Sequence, residues 1–365
     1  MDLDAVYDRI DSKNKIPCAQ ADVDRTDLYT RAVWTLGAWT FATDFVEDIR
    51  TLSNGILFDI SGGRGKLHWT LLQFQTFPVS PQTTYKDAEF ASKVQAILDR
   101  YPPLHITFRG IARTRFGLFL RGYPNYNVNR LRDELRALCP DEMVEPHPQD
   151  ICHSTLFRFT QEPTDQDIQR LDHLVEKYRD VELCTMRPTQ WEFGYGTWTQ
   201  RDADRLVVAK WPAKPPHWIL HRGLSRGPDP SLENNEENLK RCIEDGWDVE
   251  FDLWYKDGQL WLGHDAPTTL LCDKSLLASK NAWIHCKNVA MLQYMAENCP
   301  GAAFFSHDTD EAVLTSNGYI WCFPGIQGGP KSILVMPERV PDLQIDLTTI
   351  GGICTDYLTL PRASV

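Results

Sequence analysis

His68-Trp69-Thr70-Leu71-Leu72-Gln73-Phe74 returns 85 positions later as His153-Ser154-Thr155-Leu156-Phe157-Arg158-Phe159. The two copies share four identities, an apolar residue at the fifth position and a long polar residue at the sixth. On a β-strand, residues two apart point to the same face, so each copy offers an imidazole beside a hydroxyl. Two such pairs facing each other make a phosphate site. Ten histidines give roughly one His-x-Ser/Thr by chance, and this chain has four. His105-Ile106-Thr107 and His307-Asp308-Thr309 do not continue into Leu-x-x-Phe, and both read as decoys, His307-Asp308 being a polar pair at a strand end. A lone copy is ordinarily a half-buried strand histidine; the pairing carries the functional reading.

Outward from the repeat, strands are expected at Gly55–Ile60, Leu67–Phe74, His105–Arg109, Phe116–Arg121 and His153–Phe159. Helices are expected at Tyr85–Tyr101, Val128–Leu138 and Asp165–Tyr178. The last opens on Thr164-Asp165-Gln166-Asp167, a capping pattern that satisfies free amides at a helix start. Two motif strands, each in a strand-and-helix half, predict a duplicated, bilobal α+β domain over residues 1–210. Gly62-Gly63-Arg64-Gly65-Lys66 has the composition of a phosphate-cradling loop, but it precedes a strand rather than a helix and reads more simply as a turn. Pro212, Pro215 and Pro216 forbid a helix interior or a central strand, which makes 211–217 a Pro-rich linker. Beyond it, seven short apolar runs over 218–365 predict a compact α/β barrel of the TIM type, short enough to be incomplete. The runs are Trp218–Leu220, Asp248–Leu253, Ala282–His285, Ala302–Phe305, Tyr319–Cys322, Ser332–Val335 and Gly352–Cys354.

Composition narrows the function. At 365 residues and 42% hydrophobic, the chain can bury about two cores. A net charge of −12 argues against a grip on long duplex nucleic acid, while a small phosphodiester, a nucleotide or an RNA end stays open. No apolar run reaches the roughly 18 residues of a membrane helix, and Met1-Asp2-Leu3-Asp4 does not look like a signal peptide, so a cytoplasmic protein is expected. The ten cysteines are spread singly, without Cys-x-x-Cys or zinc-ligand spacing, and read as reduced, mostly buried thiols. Oligomeric state is not readable.

The paired His-x-Thr-Leu strands resemble those of the two-histidine (2H) phosphoesterase superfamily, over about residues 30–210. The resemblance implies a bilobal, pseudo-symmetric fold with one motif from each lobe in a central cleft, and cleavage of 2′,3′-cyclic phosphates or related nucleotide phosphodiesters without a metal. His68 and His153 then divide the acid and base roles, as two imidazoles titrating near neutrality can. Thr70 and Thr155 donate hydrogen bonds to the non-bridging oxygens. Trp69, Tyr123, Tyr126, Trp191, Tyr195 and Trp198 could stack on a base, although any one of them is more simply core.

In the second half, His221-Arg222-Gly223, Glu233-Asn234-Asn235, Glu250-Phe251-Asp252, Asp257-Gly258 and His264-Asp265 follow in order, with Ile353-Cys354-Thr355-Asp356-Tyr357 near the end. That series is similar to the glycerophosphodiester phosphodiesterase group and its sphingomyelinase D-type relatives. The resemblance implies acid/base or nucleophilic chemistry by His221 and His264, a divalent cation (Mg²⁺ or Ca²⁺) on Glu250 and Asp252, and phosphate contacts from Arg222 and Lys287. The third ligand position, two residues before Lys287, holds His285 where an acidic residue is usual, so the metal differs or the site is weaker. The leading reading is a two-domain phosphodiesterase. Its alternatives are cleavage of a phospholipid headgroup by the barrel, and a binding protein that sequesters a phosphorylated ligand.

Overall fold

A computed structural model describes residues 3–7, 29–39, 41, 43–53, 57–59, 67–79, 85–114, 117–138, 151–159, 162–197, 205–326 and 328–360. The chain divides into two compact units, Met1–Leu98 with Leu104–Pro212, and Asp99–Pro103 with Ala213–Val365. Each is built on a curled, half-barrel sheet with helices.

In the first unit, β1 (Tyr29–Ala38), α1 (Thr43–Ser53), β2 (Leu57–Asp59), β3 (His68–Val79), α2 (Tyr85–Leu98), β4 (Ile106–Thr114), β5 (Gly117–Pro124), α3 (Val128–Arg136), β6 (Cys152–Phe159), α4 (Asp165–Tyr178), β7 (Glu182–Thr197) and β8 (Leu206–Pro212) follow in order. The sheet runs β2-β6-β5-β4-β7-β1-β3, with β8 also on β7. The 16-residue β7 joins two halves. Its first residues pair antiparallel with β4 (Glu182 with Arg109), and those from Arg187 onward pair with β1 (Arg187 with Ala38). Pro188 stands at the changeover, opposite Gly37 at a register shift, where a missing amide costs no ladder bond. The capping box on α4 is present, Thr164 and Asp167 each accepting the other's amide. Pro212 closes the edge strand β8, so two residues of the expected linker are strand, and His217 opens the next one.

Arg132 of α3, fully buried, ties the two motif strands together. Its Nε donates to the Leu71 carbonyl of β3 at 2.9 Å, and a terminal nitrogen donates to the Ile151 carbonyl before β6 at 2.9 Å. Ser154 Oγ adds a bond to the His68 carbonyl at 2.8 Å. Arg132→Met keeps the aliphatic stem but strands both carbonyls, so it should lower stability by about 3 kcal/mol, the scale of losing bonds to a charged donor. Urea denaturation checks this; a loss under about 0.5 kcal/mol would show that the strands hold together without the strap.

The second unit contains β9 (His217–Leu220), α5 (Glu236–Glu244), β10 (Asp248–Lys256), β11 (Gln259–Leu262), β12 (Thr269–Leu270), β13 (Ala282–Cys286), α6 (Val289–Asn298), β14 (Ala303–Phe305), β15 (Ala312–Leu314), β16 (Ile320–Cys322), β17 (Ser332–Val335) and β18 (Gly352–Thr355). Parallel pairing runs β14-β13-β10-β9-β18-β17-β16, the seven runs picked out in the sequence. The hairpin from β10 to β11 turns on Asp257 and Gly258, both at positive φ, which is the conformation that Asp-Gly favours. Alternation sorts the strands into two faces. Val249, Phe251, Leu253, Ile284 and Ile353 pack with Leu239 of α5 and Met291 and Met295 of α6, whereas Ile219, Trp283, Phe305, Trp321, Ile333 and Cys354 form a separate apolar layer. Glu250 and Asp252 stand in register with Trp283 and His285, so the two carboxylates continue that second layer toward the strands' C-terminal ends.

Among the described residues eight cysteines are free thiols, six of them buried. No helix among them is long and apolar enough to cross a membrane.

Candidate functional site

In the first unit, burial alternates over His68–Leu71, before the adjacent buried Leu72 breaks it, and over Cys152–Leu156. Trp69 and Leu71 are buried while His68 and Thr70 between them are half-buried; Cys152, Ser154 and Leu156 are buried while His153 and Thr155 are half-buried. The imidazole and the hydroxyl of each copy therefore share the more open face of their strand, as a period of two requires. With Arg132 and Ser154 bridging the strands, the two copies are brought side by side. The ring of Phe119 meets His153 edge-on at 5.4 Å, and Arg121 stands opposite His153 across β5 and β6.

Of the aromatic candidates, Trp69, Trp191 and Tyr195 are core, and Tyr195 bonds Asp87. Tyr123 and Tyr126 are half-buried. Trp198, Phe116 and the whole of Gly62–Lys66 lie outside the described residues. The backbone amide and carbonyl of His105 both bond Asn125.

The second unit gathers its site at the C-terminal ends of the parallel strands, where strand ends and the following loops can place side chains independently. A cavity of about 270 Å³ there is lined by His221, Arg222, Glu250, Asp252, His264 and His285, six of the expected residues from four separate stretches. His307, Asp310 and Arg339 join them, with an apolar side of Val313, Trp321, Phe323, Val335 and Met336. Lys287 holds Asp252 at 3.7 Å and is not among the lining residues.

His221 follows β9 in a tight turn. Arg222 takes φ 53°, a strained conformation for a residue with a side chain, and Gly223 takes φ 77°. A Cβ at Gly223 would meet the end of the Leu239 side chain at 2.9 Å, and its positive φ favours glycine. The turn points the Arg222 amide at Glu250 Oε2 (3.1 Å) and its fork at Glu233, while Nε lies 3.3 Å from Asp252 Oδ2 as an ion pair without a hydrogen bond. His221 Nδ1 lies 2.7 Å from Asp356 Oδ1. A carboxylate can only accept, so Nδ1 carries the proton and Nε2 keeps the lone pair. Burial holds the His221 imidazole below its ordinary pKa despite Asp356, which leaves it a neutral base at neutral pH. His264 is more exposed, with Nδ1 2.6 Å from Asp265.

Glu250, Asp252 and His285 have ligand atoms within 4.8 Å of one another. Burial, reinforced by the neighbouring Asp252, pushes the Glu250 carboxyl well above the usual range. Asp252 is buried too, but His285 (Nδ1 at 2.9 Å), Arg222 and Asn234 outweigh burial and hold it far below. The three are close enough to share a cation, but His285 turns Nδ1 to the Asp252 carboxylate and Nε2 to the His307 carbonyl, both acceptors, so the ring has to release one of them before a nitrogen lone pair can ligate.

Four contributors carry no signal of their own in the sequence. Asp356 and Asn234 stand there only as parts of motifs, yet one orients His221 and the other both donates to and accepts from Asp252. Arg339 lies 3.7 Å from Asp356. His307 is more than a polar strand end: its ring stacks on His285 at 4.5 Å and its carbonyl lies 3.3 Å from His285 Nε2. Burial pushes the His307 imidazole down to about 4, so it is uncharged.

Asp356→Asn leaves the shape but can present an amide N–H to Nδ1 and so reverse the tautomer. Any reaction in which His221 acts as the base should then slow about 10³–10⁴-fold with little change in KM, as when the acid of a histidine–acid pair is amidated. Steady-state kinetics would read this, and an unchanged kcat would remove His221 from the base role.

No family model matches the chain, and no curated protein matches it.

Proposed function

We propose that the chain is a phosphoric diester hydrolase with two sites: a two-histidine (2H)-type bilobal unit acting on a cyclic or linear nucleotide phosphodiester or RNA end, and a TIM-type barrel with glycerophosphodiester phosphodiesterase-like chemistry. The observation that carries the reading is the convergence of His221, Arg222, Glu250, Asp252, His264 and His285 on one cavity at the strand ends. The side-by-side His-x-Thr strands support its first half.

In the first site, one imidazole takes the proton of the attacking water or hydroxyl and the other gives a proton to the leaving oxygen. Thr70 and Thr155 hydroxyls donate to the non-bridging oxygens, whose charge must be held as the bond breaks. In the barrel, neutral His221, oriented by Asp356, is the base or nucleophile, and His264 at the cavity edge protonates the leaving group. Arg222 offers the phosphate a planar donor pair. Glu250, Asp252 and His285 would hold a divalent cation, which supplies Lewis-acid neutralisation of phosphate charge.

The test is a ³¹P NMR panel of 2′,3′-cyclic nucleotides, cyclic dinucleotides, glycerophosphodiesters and phospholipid vesicles. Conversion of a water-soluble phosphodiester to a monoester supports the reading, conversion of vesicles alone moves the substrate to lipid headgroups, and tight binding without product makes the chain a sequestering protein.

A further inference from the structure

The sheet face that carries His153 and Thr155 also carries Phe119, Arg121 and Tyr123 of β5, since Arg121 is in register with His153 and Phe119 with Thr155. The helical segment at residues 3–7 lies on this face. Tyr7, fully buried, packs with Ala112 and Phe119, and Leu3 with Tyr123 and Ile151 lies against them. The Tyr7 hydroxyl donates between the Gly122 and Cys152 carbonyls (3.0 and 2.5 Å) and accepts from the Gly122 amide (2.9 Å), which anchors the segment.

Asp4, one turn earlier, puts its carboxylate among three donors. Arg121 reaches Oδ1 at 3.0 Å, Tyr123 hydroxyl Oδ1 at 2.5 Å, and Arg109 Oδ2 at 2.9 Å. One donor is built in: Arg121 is only 3% exposed and stacks on Tyr7, while Arg109, its side chain 40% exposed, stacks on Tyr123 at 4.5 Å. Arg109 is aimed there by a bulge at Gly110, where φ is 77° and a Cβ would lie 2.3 Å from the Arg179 carbonyl. The acceptor is more exposed than either arginine, the Asp4 side chain being 51% exposed against 40% for Arg109 and 3% for Arg121. An exposed carboxylate contributes little to such a pair, whereas a phosphate brings more charge and more oxygens to the same two forks.

We infer that Arg109, Arg121 and Tyr123 form a phosphate-binding subsite beside His153, and that Asp4 occupies it in cis until a phosphate group of the ligand displaces the carboxylate. The subsite deepens the two-histidine reading, because directly opposed residues on paired strands have Cβ atoms only about 5 Å apart. A substrate at His153 therefore reaches Arg121 with a second phosphate.

Calorimetric titration of the full chain with inorganic phosphate at low ionic strength tests the inference. Asp4→Asn keeps the shape and removes the competing charge, and should tighten phosphate binding at least tenfold over wild type; Arg109→Gln added to it should abolish the gain. Equal affinity in wild type and Asp4→Asn, or a gain that survives Arg109→Gln, would overturn it. So would a large drop in melting temperature on Asp4→Asn, since Asp4 would then be the anchor rather than Tyr7. The titration needs no turnover: a chain that hydrolyses nothing leaves the subsite standing, and a blank titration leaves any hydrolysis standing.

Discussion

His221→Ala is expected to reduce turnover of a glycerophosphodiester by roughly 10²–10⁴-fold, the range for removing a positioned acid–base group. The effect should fall on kcat more than on KM, because Arg222 and the rest of the cavity wall remain to bind the substrate. The same site sets a pH dependence. Burial lowers the His221 pKa from its ordinary 6.5, so the imidazole becomes protonated, and the activity is lost, only as pH falls below that value. The acid limb of kcat/KM in wild type should therefore have its midpoint below 6.5. A midpoint above it would mean that another group acts as base. Loss of activity in His221→Ala without loss of fold is checked by circular dichroism, since His221 is buried and an unfolded variant would say nothing of chemistry.

His68→Ala combined with His153→Ala is expected to remove hydrolysis of a 2′,3′-cyclic nucleotide by at least about 10⁴-fold, and each single change should cost nearly as much as the pair. Two groups that act in one proton-transfer sequence do not contribute additively, because removing either leaves the other without a partner. Additive losses from two independent singles would argue that the strands hold separate functions. Thr70→Val and Thr155→Val should give smaller losses, about 10–100-fold each, by removing one hydrogen bond to the transferring phosphate while keeping side-chain volume. Neither class of change touches Arg132, so the fold of the unit should persist.

Much of this arrangement was legible in the chain itself, for identifiable reasons. His68, Thr70, His153 and Thr155 share an open face because strand period dictates it, and burial alternates accordingly. The seven parallel strands of the second unit announced themselves as short apolar runs because strands covered on both faces must be continuous in hydrophobicity. The α4 helix begins where Thr164 and Asp167 can cap it. What escaped was long-range. His221 and Asp356 are 135 positions apart, and only the neighbouring positions of β9 and β18 bring them together. His307 acquires its place from the stacking of β14 beside β13, which no local pattern reports. β7 was not anticipated because Pro188 and its two glycines, Gly194 and Gly196, break the pattern of an ordinary strand, although a proline at a changeover of partners is where a long shared strand can tolerate one. Arg132 carries no motif at all; a buried arginine becomes visible only through the carbonyls it holds.

Hydrolysis of a 2′,3′-cyclic nucleotide and of a glycerophosphodiester, each with EDTA or with added divalent metal, by wild type, His68→Ala/His153→Ala and His221→Ala, puts both sites to the test in one measurement. Two sites predict a crossed result: cyclic-nucleotide turnover that resists EDTA and disappears only in the double variant, and glycerophosphodiester turnover that EDTA suppresses and that disappears only with His221. No product from either substrate under either condition, or product that survives all three histidine substitutions, would contradict it.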